Sequence, residues 1–351
     1  MFFFMIRIGV SVLACAIAAL TGIVLIPYLK KIHFGQTILE IGPKWHKGKQ
    51  GTPIMGGFMF IIGSIIATAA GYTVYRAFFL DITNADVNAN AFRLLACILF
   101  AAAFSALGFA DDYIKAVKKQ NLGLNPKQKM IFQFLFSVAF LWVLYLLGDK
   151  STEIDLMFVK FDIGIFYYPV MILFIIYVSN AVNLTDGVDG LCASVTVITM
   201  LAFTTICMLL GDYEVSMFSI AIAGGCLGFL VWNLHPAKCF MGDTGSMFLG
   251  GAFIGIGLTT HNHLLIILVG IVYVLEALSV VIQVSYFKIT AKIHYKKTGE
   301  KGKGKRIFKM SPIHHHFEMC GFSEYKIVIT FSLAALIACA GAVVLQYAAA
   351  Q

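Results

Sequence analysis

Apolar runs of close to 20 residues recur along the whole of this chain and are separated by short polar segments. An α-helix needs a run of this length to cross the hydrocarbon core of a bilayer. Of the 351 residues, 60% are hydrophobic and only 13% are charged, whereas a soluble domain has about 25% charged residues. The sequence therefore predicts an all-α, polytopic integral membrane helix bundle rather than a soluble enzyme with one anchor.

We predict about ten transmembrane helices, approximately at 8–28, 54–75, 92–110, 130–148, 166–182, 191–211, 215–233, 246–260, 263–287 and 327–349. The eighth is short, and the ninth is long enough to tilt or to break. The first resembles a signal peptide, but it is long and has one early charge, Arg7, so we interpret it as a span. Residues 1–351 are expected to form a single transmembrane domain.

The Lys and Arg residues are concentrated in alternate connections between the spans. Connections 29–53, 111–129, 234–245 and 288–326 hold 21 of the 26 Lys and Arg residues. The positive-inside rule assigns them to the cytoplasm, together with the turn 183–190, and assigns both termini to the outside. The net charge of +8 thus reflects topology. We expect no nucleic-acid partner, because no basic domain with interleaved stacking aromatics is present.

The eight cysteines fall mostly inside the predicted spans and form no C-x-x-C pair. Cytoplasmic and membrane-embedded cysteines without such spacing are expected to remain reduced. We therefore predict neither a disulfide framework nor a zinc site.

Five aspartates occur at three places, each directly at a predicted cytoplasmic end of a span. The motifs are GFADDYIK with Asp111 and Asp112, NLTDGVDG with Asp186 and Asp189, and CFMGDTGS with Asp243. A helix bundle can bring these ends together into one acidic cleft. Carboxylates in such a cleft repel one another unless a cation or a proton intervenes. Oxygen donors without sulfur suit Mg²⁺, which binds carboxylates together with substrate phosphate, so the pattern indicates phosphate chemistry at the membrane surface.

Helix capping and solvated loops are the alternative interpretations of these acids. Asp186 or Asp189 could cap the sixth span, and Asp243 could cap the eighth. Asp111 and Asp112 follow a helix, where the helix dipole disfavours negative charge, so capping does not account for them, although a solvated loop start would. One cap explains one residue and not three places, and we therefore favour a site.

A histidine triplet, in SPIHHHFE at 311–318, interrupts the Lys- and Gly-rich connection 288–326. Three consecutive histidines cannot share one helix face, and they lack the i, i+4 spacing of a metal-binding pair. Solvated loop histidines are the alternative, but the flanking Pro312 and Phe317 favour a fixed conformation that contacts pyrophosphate or donates a proton. Glu276 lies inside the ninth predicted span, where an acid is expected to face a cavity or a partner.

The motifs KGKQGTPIMGG, GFADDYIK, NAVNLTDGVDGL, NLHPAKCFMGDTGSMFLGG and SPIHHHFE occur in this order. This set resembles the phospho-N-acetylmuramoyl-pentapeptide transferase family, a branch of the polyprenyl-phosphate N-acetylhexosamine-1-phosphate transferase superfamily. The resemblance extends from about residue 29 to residue 326. The paired aspartates are shared across the superfamily, whereas PIHHHFE is specific to the muramoyl-pentapeptide branch.

The resemblance implies transfer of phospho-N-acetylmuramoyl-pentapeptide from UDP to undecaprenyl phosphate, giving lipid I and UMP. It further implies Mg²⁺ as cofactor, an active site on the cytoplasmic face of the bacterial inner membrane, and a homodimer. By resemblance, Asp111 and Asp112 are the paired catalytic acids, with Asp111 as the base toward the lipid phosphate; Asp243 is the metal ligand; and His314 is needed for activity. The substrate-binding residues implied are Lys49, Asn183, Asp186, Gly187, Asp189, Asn233, Phe240, His315 and His316, with Phe240 stacking on uracil.

Three other functions remain open at this point. The nearest is a superfamily relative that uses UDP-N-acetylglucosamine, against which PIHHHFE argues. A lipid transporter or flippase is a different class, favoured only by Glu276. A CDP-alcohol phosphotransferase would need a long Asp-rich signature that this sequence lacks. Within the favoured reaction, direct attack by the lipid phosphate is preferred to a covalent Asp intermediate, because positioning and electrostatics suffice for phosphoryl transfer.

Overall fold

The computed structural model describes residues 2–32, 35, 49–79, 85–118, 123–300 and 302–351. The predicted connections 29–53 and 111–129 fall partly outside these ranges. The described chain is almost entirely helical, and its helices are α1 (Phe2–Lys31), α2 (Gly57–Phe79), α3 (Ala85–Lys118), α4 (Pro126–Leu146), α5 (Tyr167–Thr185), α6 (Leu191–Leu210), α7 (Tyr213–Asn233), α8 (Gly242–Thr259), α9 (His263–Val269), α10 (Ile271–Thr298), α11 (Ile313–Glu318) and α12 (Glu324–Ala349). A short antiparallel hairpin, β1 (Glu153–Asp155) and β2 (Lys160–Asp162), follows α4.

Nine helices of the described ranges are long and apolar enough to span a membrane. The eighth predicted span corresponds to α8, whose residues from Thr244 to Thr259 are all buried. The ninth corresponds to α9 and α10, which are separated at Gly270. The prediction of an all-α, multi-pass membrane fold is therefore confirmed, and the expected break in the ninth span is present.

Several helices extend beyond the apolar runs from which they were predicted. α3 continues to Lys118, so the last two turns of the helix contain Asp111 and Asp112. α10 continues to Thr298. The predicted connections 111–129 and 288–326 are therefore partly helical. The physical reason is that Lys, Ala and Ile continue a helix into the aqueous phase, whereas hydropathy detects only its apolar part.

The packing of α3 against α8 is the contact that positions the site. A Cβ atom on Gly108 of α3 would lie 2.1 Å from the carbonyl oxygen of Asp243 in α8. Small residues allow helix backbones to approach this closely within a membrane. The hydroxyl of Ser105, one turn earlier, donates to the carbonyl oxygen of Thr244 at 3.1 Å. As a result, the end of α3 lies directly beside the beginning of α8.

The opposite end of the bundle holds other acids. Asp149 follows α4, Asp155 lies in β1, and Asp212 separates α6 from α7. Asp149 Oδ1 is 2.5 Å from Arg93 Nη2 near the start of α3. The residues that follow α4 therefore lie beside the first turns of α3, as expected for two antiparallel helices, and the two ends of the bundle carry separate sets of acids.

Candidate active site

Three carboxylates meet where α3 ends and α8 begins. Oxygen atoms of Asp111, Asp112 and Asp243 lie within 4.8 Å of one another. Lys115 Nζ is 2.6 Å from Asp111 Oδ2 and 3.1 Å from Asp243 Oδ2. Lys129 Nζ, from α4, is 3.1 Å from Asp111 Oδ1 and 2.8 Å from Asp243 Oδ2. Asp111 and Asp243 therefore face each other across two ammonium groups, which offset the repulsion between the carboxylates.

Asp112 has a different environment, because its side chain caps α8. Its Oδ1 accepts a hydrogen bond from the backbone N–H of Asp243 at 3.1 Å, and its Oδ2 accepts from the backbone N–H of Thr244 at 2.9 Å. The first N–H groups of a helix lack partners within the helix and favour negative charge. The interpretation that capping does not account for the paired acids was therefore wrong for Asp112, which caps a neighbouring helix.

The capping alternative for the other acids is not supported. The residue that precedes α8 is Met241 and the residue that precedes α6 is Gly190, and neither helix has a cap from the side chain at that position. Asp243 instead accepts a hydrogen bond from Asn183 Nδ2, at the end of α5, at 3.0 Å. Asn183 Nδ2 is also 2.7 Å from Ser246 Oγ. The structure thus joins Asn183 to the cluster of carboxylates where α3 ends and α8 begins.

A second cluster of polar side chains surrounds the turn that links α5 to α6. Asp189, which is buried, has Oδ1 at 2.7 Å from Lys49 Nζ and Oδ2 at 3.0 Å from His235 Nδ1. Glu324, the first residue of α12, has Oε2 at 2.8 Å from the same Lys49 Nζ. The backbone N–H of Asp189 donates to that Oε2 at 3.0 Å. This second cluster links the segment before α2 to the turn and to α12.

Asp186 lies between the cluster of carboxylates and this second cluster. Burial, followed by the negative charges of Asp243, Asp112 and Asp189, raises the pKa of Asp186 well above its ordinary value. Within the described ranges no Lys or Arg forms an ion pair with Asp186. The turn therefore presents a carboxyl group that lacks the cationic partners of its neighbours.

Asn233 and Phe240 frame the turn from the connection between α7 and α8. Asn233 is buried; its Oδ1 accepts from Gly190 N at 3.1 Å, and its Nδ2 donates to Cys239 O at 3.0 Å. Phe240 is half-buried, and its backbone N–H donates to Pro53 O at 2.8 Å. Asn233 therefore acts on the site by joining two backbone segments, and Phe240 lies beside them, partly accessible.

The histidine triplet lies in α11, a short helix rather than the expected loop. The side chain of His314 is fully buried, and its Nδ1 is 3.0 Å from Glu276 Oε2 in α10. His315 pairs with Glu318 one turn later, and His316 Nδ1 accepts from the backbone N–H of Lys309 at 3.2 Å. The three rings point in different directions, as predicted. Glu276 has a partner within the same region, which was expected of an intramembrane acid.

Gly187 is the contact between the turn and the triplet. A Cβ atom on Gly187 would lie 2.3 Å from His314 Nε2, a distance that no real side chain tolerates. The imidazole therefore occupies the space that a side chain at position 187 would need. This contact brings the triplet to the same turn as Asp186 and Asp189.

Four residues of the site were missed by the sequence analysis. Lys115 follows Asp111 by four residues on one helix, a spacing that places the two side chains on the same face and could have identified it. Lys129, His235 and Glu324 come from separate elements, and no local spacing links them to the acids. Only the packing of the helices brings them together.

Comparisons with known proteins agree with this arrangement. The glycosyl transferase family 4 model matches residues 94–261, a range that begins in α3 and extends beyond α8. Proteins named phospho-N-acetylmuramoyl-pentapeptide-transferase are similar to nearly the whole chain. One from Clostridium botulinum is 45% identical over 92% of this chain and 91% of its own length. One from Halalkalibacterium halodurans is 43% identical over 91% of both chains, and one from Bacillus subtilis is 42% identical over 92% of both.

Identity above 40% over nine-tenths of each chain is enough to establish the family. The family predicted from the five motifs is confirmed. This chain belongs to the phospho-N-acetylmuramoyl-pentapeptide transferase family.

Proposed function

We propose that the protein transfers phospho-N-acetylmuramoyl-pentapeptide from UDP to undecaprenyl phosphate and so produces lipid I and UMP. The name of the relatives supports this reaction. The observation that carries it is the meeting of the carboxylates of Asp111 and Asp243 with two lysines at one end of a membrane bundle. One substrate is soluble and anionic, while the other is held in the bilayer by its lipid tail, and a site at a helix end is accessible to both.

The cluster of three carboxylates from Asp111, Asp112 and Asp243 fits a hard divalent cation. Its donors are all oxygens, and they lie within 4.8 Å of one another, which suits Mg²⁺. We assign the cation to Asp243, the acid that the resemblance implies as the metal ligand, with Asp111 opposite; Asp112 instead holds the start of α8. When bound, Mg²⁺ would neutralise the charge of the pyrophosphate.

The protein side chains divide the remaining tasks. Asp111 accepts a hydrogen bond from Leu124 N at 2.7 Å, which orients its carboxylate, and we assign it as the base toward the lipid phosphate, as the resemblance implies. Lys115 and Lys129 are placed to stabilise negative charge on the transferred phosphoryl group. The turn at Asp186, with Lys49 and the half-buried Phe240, is assigned to the nucleotide. The lipid phosphate then attacks the phosphorus that carries the sugar, and UMP leaves.

The test is release of UMP from UDP-N-acetylmuramoyl-pentapeptide by the purified protein in detergent, with and without undecaprenyl phosphate and Mg²⁺. We expect release only when both are present. Asp243→Asn should abolish it, because the amide lacks the charge that attracts the cation. The matched control is Asp162→Asn in β2, at the other end of the bundle. Equal rates for the two variants would contradict the assignment of Asp243.

The same assay decides between the alternatives. Turnover of UDP-N-acetylglucosamine in place of the muramoyl substrate would favour the superfamily relative. Detergent solution contains no compartments, so UMP release there contradicts a pure transporter. The feature that favoured transport, Glu276, is paired with His314 beside the site and does not need a transport role.

Location and assembly follow as further parts of the proposal. The lysine-rich connections support a cytoplasmic active site in the bacterial inner membrane, with both termini outside. The homodimer implied by the resemblance remains a prediction, which the mass of the protein in detergent, measured by light scattering, will test.

A further inference from the structure

Glu276 and His314 form a buried pair that joins α10 to α11. The side chains of Glu276 and His314 are 0% and 1% exposed, and Glu276 Oε2 is 3.0 Å from His314 Nδ1. The backbone N–H of His314 approaches the same oxygen at 3.5 Å. A carboxylate can only accept hydrogen bonds, and this oxygen has two donors directed at it. The arrangement therefore holds the proton of the ring on Nδ1.

The other ring nitrogen is left for a different partner. His314 Nε2 is buried and has no hydrogen-bond partner among the described residues. It faces Gly187, where a Cβ would approach within 2.3 Å. Buried polar atoms are nearly always hydrogen-bonded, and each exception calls for a reason. The reason here is that Nε2 is directed at the turn on which the nucleotide phosphates are proposed to bind.

The position of Glu276 also calls for a reason. It lies within the candidate span Ile271–Thr298, where an ionisable side chain is costly and usually functional. A purely structural link between α10 and the chain after it already exists nearby. Gln283 accepts from Ile307 N at 3.0 Å and donates to Phe308 O at 3.0 Å. Anchoring the segment before α11 therefore does not require an acid at position 276.

We propose that Glu276 is a positioning residue for the reaction. It orients the imidazole of His314 and holds a proton on Nδ1, so that the free Nε2 is directed at the substrate beside Gly187, where it can take up a second proton and, as an N–H, donate to the phosphates. This inference rests on the proposed function, because it assumes that the substrate is bound at that turn. The logic is that of any carboxylate–imidazole pair in which the acid fixes the orientation and the tautomer of the ring.

The experiment measures kcat and KM for UMP release by wild type, Glu276→Ala, Glu276→Gln and Gln283→Ala. Glu276→Ala should lower kcat by on the order of 10–100-fold, as for other partners that orient a functional imidazole, with KM nearly unchanged. Glu276→Gln should recover most of the rate, because its amide oxygen can still accept from Nδ1–H. Gln283→Ala is the matched control, since it removes an anchor of the same segment and leaves the histidine pair intact.

A second measurement separates positioning from stability. In a His314→Ala background, Glu276→Ala should cause no further loss of rate if the acid acts only through the ring. In protein labelled with ¹⁵N-histidine, the His314 resonances should report a protonated Nδ1 in wild type and a mixture of tautomers in Glu276→Ala. Equal losses in Glu276→Ala and Gln283→Ala, or an unchanged tautomer, would overturn the inference. A wild-type protein that releases no UMP would instead contradict the proposed function.

Discussion

Asp112 of α3 and Thr244 of α8 are joined by two hydrogen bonds to one carboxylate oxygen. Asp112 Oδ2 accepts from the backbone N–H of Thr244 at 2.9 Å and from its hydroxyl at 2.7 Å. The paired acids of GFADDYIK thus have separate tasks. Asp111 faces the lysines and Asp243, whereas Asp112 fixes the start of α8 and, through it, the position of Asp243. Because an acid from another helix caps α8, the side chain of Asp243 does not serve as the cap and remains directed at Asp111 and the lysines.

Replacing Thr244 should test this capping. Thr244→Val keeps the shape of the side chain but leaves Asp112 Oδ2 without its hydroxyl donor, and a hydrogen bond to a charged group contributes about 1.5–3 kcal/mol. We expect a lower Tm in detergent and a lower kcat, because Asp243 precedes Thr244 directly. Thr244→Ser retains the hydroxyl and is the control, with a Tm close to that of wild type. If the two variants have the same Tm, the hydroxyl of Thr244 does not stabilise the cap.

The sequence was sufficient to predict the spans and the acids, because both follow from local properties. Apolar runs mark α1 to α8, and the five aspartates that were predicted to be cytoplasmic stand directly at the ends of such runs. The cap at Asp112 was not predictable, since its partners lie more than a hundred residues away in the sequence. The same holds for Glu324, which reaches Lys49 only because α12 packs beside α6. Contacts between elements depend on tertiary packing that periodicity does not encode.

The carboxyl group of Asp186 should destabilise the folded protein in the absence of substrate. Its raised pKa means that the folded protein holds the proton more tightly than the unfolded chain does. Stability is therefore lost as pH rises from about 4, the ordinary value of an aspartate, through the folded pKa. We expect Asp186→Asn to raise the Tm by a few degrees at neutral pH while it raises KM for the UDP substrate. Thermal unfolding and steady-state kinetics measure the two effects.

The pH dependence provides the control for this prediction. Asparagine does not titrate, so the difference in Tm between Asp186→Asn and wild type should shrink as pH falls toward 4 and disappear well below it, where aspartate is protonated in both states. If the difference in Tm does not change with pH, the higher Tm of Asp186→Asn results from packing and not from the titration of Asp186. A lower Tm for Asp186→Asn at neutral pH would contradict the inferred destabilisation.

Gly187→Ala should impair activity without unfolding the protein. The added methyl would lie 2.3 Å from His314 Nε2, so the imidazole or the turn must move, and positioning errors of about 1 Å can cost on the order of 100-fold in rate. We expect a large decrease in kcat with a Tm within a few degrees of wild type. Gly341→Ala in α12, where nothing lies within 4 Å of the added Cβ, is the matched control. Full activity of Gly187→Ala would show that the placement of His314 Nε2 beside Gly187 is not needed for the reaction.

The histidine triplet should show a graded response to alanine substitution, because its three rings have different partners. His314 contacts Glu276 and faces Gly187, so His314→Ala should lose most of the turnover. His315 pairs with Glu318, and its loss should act through the packing of α11 and lower kcat less. His316 contacts the backbone N–H of Lys309 and the thiol of Cys320, neither of which belongs to the candidate site, so His316→Ala should stay within a few-fold of wild type. UMP release by the three variants, each with its Tm, is the measurement. Equal losses in all three would mean that the rings reach the substrate by a movement of α11.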